Sequence, residues 1–110
     1  MKFLQELYLG EQIAPKVDQI VKKINNNEIV PNLYVIAMAS NSDNMLDLIP
    51  EWELLQKGYP KENVFVIGLA KNKKEAVGLV QFIIEECYEK THSADVRAYL
   101  SEKWEGQVWT

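Results

Sequence analysis

The chain is poor in the residues that most often build reactive or cross-linked sites. Its 110 residues include one histidine, His92, and one cysteine, Cys87. A single histidine cannot supply a histidine-rich metal site, and a single cysteine cannot form an internal disulfide. We therefore expect no metal, no cofactor and no disulfide. From the cysteine usage we also expect a reducing, cytoplasmic location.

Long apolar runs and positive charge are also scarce. No run approaches the roughly 18 apolar residues of a membrane span, and two glutamates close to Met1 argue against a signal peptide. The formal net charge is −4, and Lys71, Lys73 and Lys74 are the one local basic cluster. Nucleic-acid binding depends on a broad basic surface that releases counterions from phosphates. We therefore expect neither a nucleic-acid partner nor a membrane partner.

The motifs of common nucleotide sites and hydrolases are missing as well. The five glycines are far apart, so neither G-x-G-x-x-G nor G-x-x-x-x-G-K-[ST] occurs, and no serine lies in a G-x-S-x-G turn. His92 is expected in a turn opposite the candidate loops described below. Cys87 is expected on the apolar stripe of a helix, where cysteine packs as a small hydrophobe. No catalytic residue is predicted, although these absences do not decide whether the protein is an enzyme.

One phrase occurs twice in the chain. The stretches LYVIAMASNSDNMLDLI and VFVIGLAKNKKEAVGLV share several apolar and polar positions. Each starts with a short continuous apolar run, which predicts strands over 33–39 and 64–70 that are covered on both faces, as in a parallel sheet. Parallel neighbours need a crossover helix between them. Apolar residues with helical spacing predict that helix over 43–57, kinked or broken at Pro50.

Two further helices flank the repeat. Isoleucine and valine recur with the helical period over 11–27, which predicts an amphipathic helix. Asn72 and Glu75 have the spacing of a capping box, which predicts a helix that ends near Lys90. In the predicted helix between the strands, Glu51 and the aspartates one and two turns before it are interpreted as a solvated face. A cation site is the alternative.

The repeat spacing next reaches 95–100. There apolar residues alternate with polar ones, which favours a third, half-exposed strand, and a helix capped by Ser93 is the alternative. The predicted fold is therefore a single α/β domain over 1–110, a small three-layer α-βαβαβ arrangement with a short parallel sheet. No element is assigned to the N-terminal apolar segment 1–10 or to the tail 101–110.

Both copies of the repeated phrase place polar residues between a predicted strand and a predicted helix. Free N–H groups and the dipole at a helix start favour anions, and ligands of α/β sheets bind beyond the carboxyl ends of parallel strands. We therefore expect the two loops to lie together and to bind a phosphate or carboxylate. Helix capping alone is the alternative. The predicted anion-binding residues are Ser40, Asn41, Ser42, Lys71, Asn72, Lys73 and Lys74.

Two functions are compatible with these features. The first is a binding or assembly module without catalytic machinery. The second is an enzyme or sensor that binds a phosphorylated or carboxylated small molecule at the two loops. We also expect a two-fold homodimer, because 1–10 and the tail with its tryptophans carry more apolar surface than so small a sheet needs. The alternative is that both segments fold back over the sheet.

Overall fold

The computed structural model of the protein describes residues 1–38 and 46–105, with side chains up to residue 103. Strands and helices alternate irregularly along these residues. The elements are β1 (Lys2–Leu9), α1 (Val17–Asn25), β2 (Tyr34–Met38), β3 (Leu46–Pro50), α2 (Glu51–Leu54), β4 (Phe65–Ala70), α3 (Lys73–Thr91) and α4 (Val96–Glu105), with 3-10 turns at Ala14–Lys16 and Lys61–Asn63.

The four strands form a mixed sheet in the order β1-β4-β2-β3. β1 runs parallel to β4, whereas β2 runs antiparallel to both of its neighbours, β3 and β4. β4 and β2 therefore lie inside the sheet, and β1 and β3 form its edges. Three strands point one way and β2 points the other way.

Helices cover both faces of this sheet. Successive side chains of a strand point to opposite faces of the sheet. Val35 and Val66 point to one face and belong to the buried cluster that α1 and α2 cover. Ile36 and Ile67 belong to a second cluster on the opposite face, which α3 and α4 cover. The protein is thus a three-layer α/β domain, which confirms the predicted fold class.

The helices predicted at 11–27 and after Asn72 are confirmed. α1 buries Ile20 and Ile24 on the sheet, and α3 begins directly after Asn72 and ends at Thr91. The spacing of apolar side chains was sufficient for both, because each helix buries one face against a sheet. Among the described residues, no helix is long and apolar enough to cross a membrane.

The two strands of the repeated phrase are confirmed, but their predicted parallel arrangement is wrong. β2 and β4 are neighbours that run in opposite directions, so Tyr34 pairs with Ala70. The predicted crossover helix is also wrong over 46–50, which forms β3, and within the described part of that helix, 46–57, only Glu51–Leu54 is helical. β3 pairs with β2 as an antiparallel edge strand. Pro50 ends that edge strand, where a missing N–H is tolerated.

The predicted third strand is wrong, and the helical alternative is right. α4 begins at Val96, and the Asp95 carboxylate accepts a hydrogen bond from the Ala98 N–H at 3.0 Å. The side chain of Ser93, the predicted cap, instead accepts from the Asp95 N–H at 3.1 Å. Val96 and Leu100 lie one helical turn apart, and both are buried in the cluster that α3 covers. The helical period, not the alternation, therefore matches the burial.

The N-terminal segment supplies the edge strand that pairs in parallel with β4. Phe3 and Leu4 are buried on opposite faces of the sheet, as expected for successive residues of a strand. The segment 1–10 therefore extends the sheet at its edge, whereas the alternative placed it over a face of the sheet. An interface built on Phe3 loses its basis, and dimerisation itself stays a prediction. Trp109 and the side chain of Trp104 lie outside the described part of the chain.

Gly68 and Gly78 give opposite predictions for the same substitution. A Cβ at Gly68, inside β4, would lie 2.7 Å from the Tyr8 carbonyl oxygen, whereas a Cβ at Gly78, in α3, has no atom within 4 Å. We expect Gly68→Ala to lower the free energy of unfolding by about 1–3 kcal/mol through overpacking. Gly78→Ala should raise it by up to about 1 kcal/mol, because alanine favours a helix.

Urea denaturation of both variants at one protein concentration measures these changes. Equal stability of Gly68→Ala and the unsubstituted protein would contradict the close approach of β1 to β4.

Candidate functional site

Two side chains near the start of α3 accept hydrogen bonds from backbone N–H groups of the same segment. The Asn72 side chain accepts a hydrogen bond from the Glu75 N–H at 2.8 Å, and Glu75 Oε1 accepts one from the Lys71 N–H at 2.9 Å. This is the predicted capping interaction, with the return bond made to the residue before the cap. Asn72 therefore acts as a helix cap, the interpretation that competed with anion binding.

The Glu75 carboxylate also lies against Gly10, the residue that follows β1. A Cβ at Gly10 would come within 1.7 Å of Glu75 Oε1, and the Gly10 N–H donates to the Leu69 carbonyl at 3.0 Å. The segments that leave β1 and β4 are therefore in contact. Because Glu75 is itself negative at this helix start, a second anion directly on the α3 N-terminus would be repelled.

A basic cavity of about 250 Å³ lies beside Lys71. Its positive groups come from separate elements, since Lys16 and Lys23 belong to the 3-10 turn and helix after β1, and Lys71 follows β4. We call this cavity the basic pocket. It is lined by Gln12, Ile13, Lys16, Gln19, Ile20, Lys23, Val30 and Lys71.

The topology of the sheet explains why a pocket forms here. β1 and β4 are parallel neighbours, so both strands have their carboxyl ends at the same end of the sheet. The helices that follow them, α1 and α3, lie on opposite faces. Adjacent parallel strands whose helices diverge in this way leave a crevice at their carboxyl ends, where ligands of α/β proteins most often bind.

Glu51 fixes one wall of the basic pocket. This carboxylate is 1% exposed, and its Oε1 accepts a hydrogen bond from the Val30 N–H at 2.8 Å. The Glu51 N–H donates to the Leu33 carbonyl at 2.9 Å, so the start of α2 is tied twice to the segment before β2. The other carboxylate oxygen, Oε2, has no hydrogen-bond partner among the described residues.

The sequence interpretation of Glu51 as part of a solvated face is wrong. The predicted helical phase placed Glu51 outward, whereas the helix begins only at Glu51 and turns the side chain inward.

The predicted site residues belong to two loops, of which the structure describes one. Ser40, Asn41 and Ser42 lie outside the described residues. Their strand runs antiparallel to β4, so its last described residue, Met38, lies at the end of the sheet where β4 begins, away from Lys71. The argument from parallel strands for a meeting of the two loops is therefore wrong, and the meeting itself stays a prediction.

The second predicted loop contributes one residue to the basic pocket, Lys71. Lys73 and Lys74 are exposed in the first turn of α3 and do not line it. A role of these residues in anion binding stays a prediction. Sequence reasoning missed Lys16, at the end of the 3-10 turn, and Lys23 of α1, which both line this cavity. Their signal was a lysine spacing of two helical turns beside the apolar stripe that contains Ile13 and Ile20.

A second polar cluster joins β1, α3 and α4. The hydroxyls of Tyr8 and Tyr99 both donate to Glu86 Oε2, the latter at 2.9 Å, and Lys103 Nζ donates to the Tyr8 hydroxyl at 3.1 Å. The Lys103 ammonium also lies 4.7 Å from the centre of the Tyr8 ring. Phe82 meets this ring edge-on. The cluster connects the N-terminal strand to the last helix.

Burial and the Glu86 carboxylate control the ionisation of this cluster. Burial, with the hydrogen bond to Glu86 and its charge, raises the pKa of Tyr8 above its ordinary value and raises the pKa of Tyr99 to about 12. Burial alone would raise the pKa of Glu86, but the two tyrosine hydrogen bonds and the Lys103 charge outweigh it and lower that pKa. The tyrosines therefore stay protonated donors, which suits a structural clamp and not a base.

The single histidine and cysteine have structural positions. His92 is exposed and closes α3 in the left-handed conformation, with φ of 56°. Cys87 is buried, and its Sγ contacts the Ser93 carbonyl oxygen at 3.3 Å. In the described ranges, no group of three or more histidine, cysteine or acidic side chains has the geometry to hold a metal ion.

The tyrosine–glutamate cluster predicts stability losses at both ends of the pH scale. Because the folded state lowers the Glu86 pKa, its contribution is present above the ordinary value of 4.5 and is lost as pH falls below it. Because the folded state raises the Tyr99 pKa from 10.0 to about 12, its contribution is lost as pH rises through that interval.

Denaturation midpoints measured against pH test both losses. We expect Glu86→Gln to flatten the acid limb and Tyr99→Phe to flatten the alkaline limb. An acid limb that is equally steep in Glu86→Gln and in the unsubstituted protein would show that other carboxylates control acid unfolding.

Comparison with known proteins gives no match: no protein-family model, no curated protein and no solved structure is significantly similar to the chain. No residue of the basic pocket therefore takes a role from a relative. What the pocket binds must be argued from its own charge, size and apolar lining.

Proposed function

We propose that this protein is a binding module for a small anion with an apolar part, a carboxylate or a phosphate ester, held in the basic pocket. The observation that supports this function is the meeting of Lys16, Lys23 and Lys71 around one cavity at the carboxyl ends of two parallel strands. The chain as a whole carries a net charge of −4, so the local excess of positive charge runs against the overall composition.

The balance of energies favours an anion that also carries an apolar group. A hydrogen bond between an ammonium and an anion contributes roughly 1.5–3 kcal/mol, and association itself costs several kcal/mol. A bare anion would therefore bind weakly. Ile13, Ile20 and Val30 add an apolar wall beside the lysines. Burial of ligand carbon against that wall adds about 25 cal/mol per Å², which favours an ester or an organic acid over the free ion.

The size of the pocket restricts the ligand further. At about 250 Å³, the cavity is slightly smaller than the range of roughly 300–1,000 Å³ that is typical for drug-sized ligands. A small organic phosphate or organic acid is compatible with this volume, whereas a dinucleotide is not. Gln12 and Gln19 line the same cavity and can donate or accept hydrogen bonds to the ligand's polar groups.

Binding without catalysis is favoured by the chemistry of the lining. The polar side chains of the basic pocket are lysines and glutamines, so no carboxylate or imidazole of the described lining can act as a general base. Glu75, which lies nearby against Gly10, already accepts a hydrogen bond from the Lys71 N–H. A carboxylate or imidazole base for turnover at this site would therefore have to come from outside the described lining.

A larger cavity is less suited to the same ligand. About 450 Å³ lies between β1 and α1, where Glu6 and Asp18 supply carboxylates and no lysine or arginine is present in the described lining. These carboxylates repel an anion. The charge of the lining therefore favours the basic pocket over the larger cavity as the site of an anionic ligand.

Phenyl phosphate and inorganic phosphate, titrated against the purified protein, test the proposed function. We expect phenyl phosphate to raise the thermal midpoint more than inorganic phosphate does, because its ring adds apolar contact. Lys23→Gln and Lys71→Gln should each weaken binding roughly tenfold to hundredfold, as the loss of one charge-assisted hydrogen bond implies.

Lys22→Gln is the matched control for this experiment. Lys22 is exposed, belongs to the same helix as Lys23 and does not line the pocket. Equal weakening by Lys22→Gln and Lys23→Gln would indicate diffuse attraction and contradict the site. The absence of any shift with phenyl phosphate, benzoate and inorganic phosphate would contradict the proposed function itself.

A further inference from the structure

The outer face of α3 is unusually apolar for a solvent-facing helix. α3 has 19 residues and is about 28 Å long, and its inner face buries Ala76, Ile83 and Cys87 on the sheet. On the outer side Val77 is 41% exposed, Ile84 is 37% exposed and Tyr88 is 60% exposed. Because an interior-facing stripe is already present, these side chains are not needed to hold α3 on the sheet.

Three of the exposed apolar residues form a stripe along the helix, whereas Phe82, which is also exposed, packs edge-on against Tyr8. Val77 and Ile84 are seven residues apart, and Tyr88 lies one turn further on, so the three share one side of α3. Spacings of four and seven residues are those with which helices pack against each other. We call Val77, Ile84 and Tyr88 the α3 stripe.

A shallow depression lies at the carboxyl-terminal half of the α3 stripe. Its volume is about 510 Å³, and its apolar lining comes from Ile84, Tyr88 and Ala94. Glu85 and Glu89 form its polar border. The depression gives room for side chains of another helix, which a smooth helix surface would not.

Charge is distributed unequally along the same outer face. Lys73 and Lys74 are exposed in the first turn of α3, whereas Glu85 and Glu89 are exposed in its carboxyl-terminal half. A second α3 that runs antiparallel places the lysines of each copy beside the glutamates of the other. A parallel copy would place like charges together, and it would also align the two helix dipoles unfavourably.

We propose that the α3 stripe is a two-fold interface at which a second copy of this chain docks with its α3 antiparallel. In this arrangement Val77 of each copy lies near Tyr88 of the other, and Ile84 lies near the two-fold axis. The pairing is self-complementary, as an isologous interface requires. It replaces the N-terminal segment as the expected dimer contact, because Phe3 is buried within its own subunit.

This interface is independent of the proposed ligand site. The helix α1, which lines the basic pocket, covers the face of the sheet opposite to α3. A dimer formed through α3 therefore leaves the basic pocket open in both copies. Failure of ligand binding would not affect the dimer proposal, and a monomer would not affect the ligand proposal.

Light scattering after size exclusion, at micromolar protein, tests the interface. We expect the mass of a dimer, and we expect Ile84→Glu to give a monomer or to raise the dimer dissociation constant at least tenfold. Ile29→Glu is the matched control, because Ile29 is 67% exposed in the segment before β2, outside α3. It should leave the dimer unchanged. Far-UV circular dichroism verifies that both variants are folded.

A charge-reversal series tests the antiparallel direction. Glu85→Lys with Glu89→Lys should weaken the dimer at least tenfold, because lysines then face lysines. The addition of Lys73→Glu and Lys74→Glu should restore the dimer. This variant with four substitutions, the fourfold variant, also places its charges favourably for the helix dipole, so we expect it to fold.

Three outcomes would overturn the proposal. A monomer mass that does not change over a tenfold range of concentration excludes the dimer, and a dimer that persists in Ile84→Glu excludes the α3 stripe. A fourfold variant that stays as weak as the double variant excludes the antiparallel pairing.

Discussion

Gly68 allows β1 and β4 to approach so closely that a methyl group in its place would press on the Tyr8 carbonyl oxygen. This contact determines more than local packing. It brings the N-terminal residues into the sheet as the parallel partner of β4, and it aligns the carboxyl ends of the two strands. The segments that follow the two strands, through Gly10 and Lys71, then meet at the same end of the sheet. The helices that come after them lie on opposite faces. The basic pocket exists because of this divergence.

The elements that sequence patterns identified are those whose burial follows a single period. α1 and α3 each pack one side on a sheet, so their apolar spacing is regular, and the strands of the repeated phrase are continuous apolar runs. The prediction for the segment around Leu46 failed because its apolar residues fit both a helix and an edge strand. Pairing with β2 decides for the strand. The edge strand β1 and the direction of β2 depend on contacts between residues distant in sequence, which no local pattern contains.

The candidate site was predictable only in part for the same reason. Lys71 follows a strand of continuous apolar residues, so its place at a strand end could be inferred from sequence. To predict that Lys16 and Lys23 line the basic pocket, one must know that α1 lies beside the end of β4. That position follows from the order of the strands in the sheet. The capping role of Asn72 needed only a spacing of three residues, and it was identified for that reason.

The bond between Glu51 and the Val30 N–H has a consequence for how the basic pocket responds to a ligand. If the Val30 segment moved away, Glu51 would keep two unpartnered oxygens in the core, so the open wall would be costly. The wall is therefore held in place before any ligand arrives. A preformed wall loses little conformational entropy on binding, so more of the contact energy appears as affinity. The same bond joins the pocket to α2 and thereby to β3, the far edge strand of the sheet.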